Sequence, residues 1–268
     1  MKLNIVSGNF AFEINLFLSI LVASMNSQRN KLKNNDVFTY RRLRRAIGYL
    51  GLFLPVVLIG LSLFSYFKTD LQPSISHYYY TNFRDIFTGT LSAVGLFLIR
   101  YKGYGNVSIW KNDQLLTNVA GIMAVGIALI PVNPELEHRK IYTLIPYLFP
   151  MLGWLHYIFA AAMFGIFSLL AINVFTIGQN KDESLPQSTL NENNIYIFCG
   201  ISILILLVMI PVFEIFKIYT YATLILESII LFLFGIAWLI KGRVLGDEGK
   251  IGMKLYNERN EEHTENTD

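Results

Sequence analysis

The sequence predicts an all-α protein, a polytopic transmembrane bundle of six helices with a candidate extra helix near its N-terminus. Three observations carry that prediction. Hydrophobic residues make up 53% of the chain against 15% charged, the mean hydropathy is +0.45, and the run IYIFCGISILILLVMIPVF at positions 195–213 contains no charge. At about 1.5 Å per residue such a run is long enough to cross a hydrocarbon core of about 30 Å. The single cysteine, Cys199, lies inside this run, so a disulfide framework and a cysteine-rich metal site are both excluded and the thiol reads as a small buried hydrophobe.

Taken in order, the first apolar stretch is FAFEINLFLSILVASM at 10–25, interrupted by Glu13 and Asn15. Three readings stay open for it: a first-in-order seventh helix with an external N-terminus, an interfacial helix, or a translated leader upstream of a start at Met25. Six spans follow, at 46–67, 83–101, 115–132, 153–177, 195–213 and 221–240. Backbone polar groups must be satisfied within each segment in lipid, so these runs are helical whatever their propensity in water. Small residues four apart, Gly89 with Ala93, Ala120 with Ala124 and Ala128, and Ala161 with Gly165, predict faces on which helices approach closely. The chain therefore divides into an extension with a basic segment at 1–45, a six-helix domain at 46–241 and a polar tail at 242–268. The loop GQNKDESLPQSTLNENN and the end NERNEEHTENTD read as solvated connectors.

Orientation follows from the basic residues. Sixteen lysines and arginines fall on one side of the predicted topology, the YRRLRR cluster at 40–45 among them, and five on the other. The positive-inside rule then places both ends of the six-span core, the C-terminus included, in the cytoplasm. Nothing patterns as a nucleotide-binding loop or a nucleic-acid surface; the expected partners are membrane lipids, with a homo-oligomer as an open alternative.

Polar residues concentrate on the external side. SISHYYYTNFRDIF at 74–87 runs into the second span, His156 lies near the start of the fourth, Glu214 at the end of the fifth, and Glu227 about two turns into the sixth. The loop NPELEHRKIYTLIPYLFPMLGW at 133–154 shares that side, whereas the cytoplasmic halves of the spans read as almost purely apolar. Each residue has an ordinary explanation. Asn82 and Asp85 fit a helix cap, Arg84 can snorkel, Tyr78, Tyr79 and Tyr80 fit an interfacial aromatic belt, and His77 and His156 can be polar residues with satisfied rings. Glu227 resists such an account, because a carboxylate within LILESIILFLFG costs several kcal/mol unless it is neutral, paired or facing a polar cavity.

His77, Tyr78, Tyr79, Arg84, Asp85, His156 and Glu227 are therefore the candidate ligand-binding residues. They predict a polar pocket between the second, fourth and sixth helices that takes a lipid or small amphiphile, with no cofactor. In an alternative, enzymatic reading His77, Asp85 and His156 ligate zinc and Glu227 is the general base of a lipid amide or ester hydrolase. No His-x-x-x-His or His-Glu-x-x-His pattern accompanies them. A third reading is a small-molecule or proton-coupled carrier in which Glu227 titrates.

The segments RRAIGYLGLFLP, SISHYYYTNFRDIFTGTLSAVGLFLIRYKGY, NVAGIMAVGIALIPV, LHYIFAAAMFGIFSLLAI and ESIILFLFGIAWLIKG resemble, in order and spacing over about 41–242, the bacterial six-span proteins of domain-of-unknown-function family 998. That resemblance implies a helical bundle in the bacterial cytoplasmic membrane and no particular activity. A further resemblance, of Ser76, His77, Asp85 and His156, is to the membrane hydrolases that include alkaline ceramidases and adiponectin-type receptors, which hold zinc with Ser, Asp and three His. Their late His-x-x-x-His is missing here: Ala160 follows His156 by four, and the last span offers Glu227.

Overall fold

The computed structural model describes residues 39–101, 103, 106, 108–133, 151–176, 192–242 and 244. The chain separates into two compact units, Met1–Arg42 and Leu43–Asp268, and the second of them holds the helical bundle. The 10–25 stretch, most of the 133–154 and 178–194 loops and the acidic end lie outside the described residues.

Six long helices lie among the described residues: α1 Thr39–Ser62, α2 Arg84–Arg100, α3 Asp113–Leu129, α4 Met151–Leu169, α5 Glu192–Phe216 and α6 Ala222–Lys241. A π turn, Leu170–Val174, extends α4. Four of them, α1, α4 with its π turn, α5 and α6, are long and apolar enough to cross a membrane. The two others have 17 residues each, just under the usual span of about 20. α1 begins seven residues before the predicted span, so the YRRLRR cluster occupies its first turns instead of preceding it. It also stops at Ser62, and the chain turns through the 3-10 segment Ser65–Phe67.

Consecutive helices from α2 to α6 pack as neighbours, and α1 lies against α6. Where two backbones meet, glycine is required. A Cβ on Gly95 would stand 2.8 Å from the Gly121 carbonyl oxygen, and one on Gly235 2.8 Å from that of Gly48, distances no side chain tolerates. Only one of the predicted small-residue faces is a packing face. Ala120, Ala124 and Ala128 are buried, whereas a Cβ on Gly89 or Gly165 would meet nothing within 4 Å. Small residues spaced by four license close approach but do not say which side of a helix has a neighbour.

Burial ranks the helices. α6 buries 56% of its apolar window and α5 only 22%, so α6 is the central helix and α5 presents Phe198, Ile201, Ile205 and Val208 outward, as a lipid-facing helix does. Phe167 stacks on Phe234 and Trp238 meets Tyr101 and Phe175 edge to face, filling the middle of the bundle with aromatic area.

Candidate functional site

One end of the bundle is closed by the segment between α1 and α2. Its attachment is made through α6: Pro73 O accepts from Leu224 N at 2.9 Å, satisfying an N–H that the first turn of a helix leaves without an internal partner. One turn on, Glu227 Oε2 accepts from Ile75 N at 2.7 Å. The segment then winds into the 3-10 helix Ser76–Tyr80. Just before it, Ser74 Oγ accepts from His77 N at 3.2 Å and lies 2.6 Å from His77 Nδ1.

His156 is fully buried on α4. Its Nδ1 lies 2.7 Å from Ile130 O and its Nε2 3.0 Å from Ser76 Oγ. A carbonyl oxygen only accepts, so the proton sits on Nδ1 and Nε2 carries the lone pair. Ser76 Oγ–H therefore donates to Nε2. The sequence IALIPV places Ile130 just past the end of α3, where its carbonyl has no helical partner and turns to the imidazole.

Beside Ser76 and Glu227 lies a cavity of about 20 Å³, room for about one water. It is walled by Leu54 of α1, Phe87 and Leu91 of α2, Ile127 of α3, Met163 and Phe164 of α4 and Leu231 of α6, and its polar residues are Ser76 and Glu227. A cavity thus lies between α2, α4 and α6, with α1 and α3 contributing walls as well, but it is small and largely apolar where a polar pocket was expected, and of the seven candidate ligand-binding residues it is lined by Glu227 alone.

The structure gathers some predicted residues and disperses others. His77 and His156 are near neighbours, and burial holds the His77 imidazole down at about 4, against a smaller opposing effect of a hydrogen bond to the Asn133 backbone. Asp85 sits exposed on the first turn of α2, away from the cavity. The Asn82/Asp85 cap does not form: Phe83 is the N-cap residue and Asn82 Nδ2 donates instead to Phe67 O, because the tight turn before α2 aims the amide back at the preceding loop. Arg84 folds onto Tyr79, donating to its carbonyl at 2.8 Å with the guanidinium 5.3 Å from its ring centre. The belt expectation fails for two tyrosines. Tyr78 and Tyr79 are 0% and 3% exposed, since the 3-10 helix turns them inward; the Tyr78 hydroxyl meets Ser62 Oγ at 2.8 Å, while Tyr80 donates to Val132 O. As for zinc, no group of three His, Cys, Asp or Glu side chains able to hold a metal occurs among the described residues, and both His156 nitrogens are already hydrogen-bonded.

A second polar cluster, at the opposite end, was not legible as such. Arg44 Nε donates to the Tyr101 hydroxyl at 3.0 Å, and that hydroxyl donates to Asp113 Oδ2 at 3.0 Å. Arg44 Nη1 also reaches Lys241 O at 3.5 Å, Arg45 Nε donates to Gly242 O at 2.7 Å and Lys241 Nζ to Phe175 O at 2.9 Å, cations placed where a helix C-terminus favours them. This end is therefore not purely apolar. Asp113 stands two residues before the predicted third span and reads as a loop residue, yet it is 2% exposed because α3 begins there.

No family model, no curated protein and no solved structure matches this chain.

Proposed function

We propose that the chain is a six-span protein of the bacterial cytoplasmic membrane, of the kind its segments resemble, with both ends of the six-helix core in the cytoplasm. Its function in this reading is to bind a lipid or small amphiphile at the external, His156 end of the bundle. The observation that carries it is an open groove of about 700 Å³ between the end of α1 and the start of α2, lined by Leu61, Tyr66, Phe67, Lys68, Phe83 and Ile86, with Ser65 and Asn82. An apolar and aromatic floor with one ammonium at its rim matches an amphiphile with an anionic headgroup. The cavity beside Ser76 and Glu227, with room for about one water, is too small for an acyl chain, so the groove rather than the His156 network holds the ligand.

Native mass spectrometry of the detergent-purified protein tests this. Phosphatidylglycerol is expected to be retained by the wild type and lost severalfold from Lys68→Gln and Tyr66→Ala. Equal retention by all three would exclude the groove as the binding site.

A further inference from the structure

We infer that the outward face of α3 docks a second copy of this chain, with the two Asn118 amides paired inside the contact. The inference rests on the reading of α3 as one of six crossing helices and is independent of the lipid groove. Along α3, Leu115, Asn118, Ile122, Val125 and Leu129 follow one another at spacings of three, four, three and four residues, the seam pattern of a left-handed helix pair. Leu115, Ile122 and Leu129 are 41%, 55% and 36% exposed, and Asn118 and Val125 are half-buried, so the stripe faces away from the bundle. The neighbouring helices flank it with further apolar side chains, Leu96 and Ile99 on α2 and Ile158 on α4, all of them exposed.

Asn118 separates this stripe from an ordinary lipid-facing one. Its Oδ1 is buried with no hydrogen-bond partner. α3 has 17 residues, about 25 Å at about 1.5 Å per residue, less than a hydrocarbon layer of about 30 Å. Asn118 follows Asp113, the first residue of α3, by five positions, so in the crossing helix it lies at membrane depth. Acyl chains offer no donor there, and a polar group left without one costs free energy. The terminal torsion of an amide is broad, which lets the half-buried side chain present its polar end outward. A second copy inserted with the same topology is related to the first by an axis along the membrane normal. Their α3 helices then run parallel, and residue 118 of one meets residue 118 of the other at the same depth. An amide both donates and accepts, so the contact is self-complementary, as a two-fold interface requires, and Asn side chains hold membrane helices together in this way. A single polar residue in an apolar seam also fixes its register. α5 has the same spacing in Phe198, Ile201, Ile205 and Val208, all exposed, but those side chains are apolar and lipid alone satisfies them.

The test uses the full chain in native membranes, in a Cys199→Ser background, oxidised with copper phenanthroline. Ile122→Cys is expected to give a disulfide-linked band at twice the chain mass, and Ile205→Cys on α5 none above background. Sedimentation equilibrium in micelles should then show a dimer whose association constant falls by about tenfold in Asn118→Leu, the scale of a lost polar contact between membrane helices, and less in Asn118→Gln, which keeps an amide. The leucine variant alters an outward position and should retain the wild-type thermal midpoint, so a lost dimer is distinguished from a lost fold. Absence of a dimer in the wild type, an unchanged association constant in Asn118→Leu, cross-linking at 205 equal to that at 122, or cross-linking at 122 to a different protein overturns the pairing. A membrane-impermeant maleimide applied to opened membranes separates this failure from that of the crossing helix. Ile122→Cys that neither cross-links nor labels overturns the dimer alone, whereas Ile122→Cys labelled from water puts α3 outside the bilayer and overturns both.

Discussion

At the scale of single residues, Glu227 is held by a backbone amide, which settles what its replacement does. Glu227→Ala leaves Ile75 N–H without its acceptor in an apolar setting, and a buried donor without a partner costs about 1–3 kcal/mol. Glu227→Gln keeps an acceptor at the same place. The thermal midpoint in micelles is therefore expected to fall for the alanine variant and to stay close to wild type for the glutamine one; equal losses would mean that the charge itself holds the fold. His77 gives a pH dependence. Its imidazole is held down at about 4 by burial, against about 6.5 in an unfolded chain. Between those values the unfolded state binds a proton that the native state does not, so stability falls as the pH drops through that window. Above about 6.5 the contribution is fully present. Midpoints recorded from pH 7 to pH 4 should decline, and His77→Gln should flatten the decline; a slope unchanged in that variant would place its origin elsewhere.

At the scale of elements, the glycine crossings determine which helices touch. A Cβ at Gly235 would lie 2.8 Å from Gly48 O and 2.9 Å from the Leu52 Cβ, and neither partner can rotate away. Gly235→Ala is expected to destabilise the bundle by about 1–3 kcal/mol, the range of overpacked cores. Gly89→Ala, with open space around it, should be neutral or stabilising by up to about 1 kcal/mol through helix propensity. A comparison of the two thermal midpoints checks the assignment of faces. The same contrast marks how much the sequence can tell. Apolar length located every long helix among the described residues, because the membrane criterion depends only on local composition. Helix ends were less legible: α3 starts at Asp113 and α1 at Thr39 because tertiary partners, Tyr101 for Asp113 and the carbonyls at the end of α6 for Arg44 and Arg45, allow charge within a helical turn that composition alone assigns to a loop. At the candidate site, Glu227 and His156 stood out because each is polar within an apolar run. Ser74, Ser76 and the Ile130 carbonyl carry no such signal, since serines in a loop and backbone oxygens are ordinary until the fold aims them.

At the scale of the whole molecule, the decisive question is whether the 17-residue helices α2 and α3 cross the bilayer with the four longer ones. The proposed six-span arrangement requires that they do. α2 and α3 meet through the Gly95 and Gly121 backbones, α3 adjoins α4, and both line the cavity that α1, α4 and α6 also wall, so they pack alongside the longer helices. The bundle then has two chemically distinct ends, one carrying Tyr66 and Tyr219 in its exposed turns and the other Trp110. In a Cys199→Ser background, a single cysteine at each of those three positions should report the side on which it lies when intact cells are treated with a membrane-impermeant maleimide. Tyr66→Cys and Tyr219→Cys are expected to be labelled from outside, and Trp110→Cys only after the membrane is opened. A four-span arrangement in which α2 and α3 do not cross would keep positions 66 and 110 on one side, so labelling of both from outside would rule out six spans. Exclusion of the reagent at 66 and 219 with labelling at 110 would keep the six spans and reverse the orientation that the sixteen basic residues on one side predict.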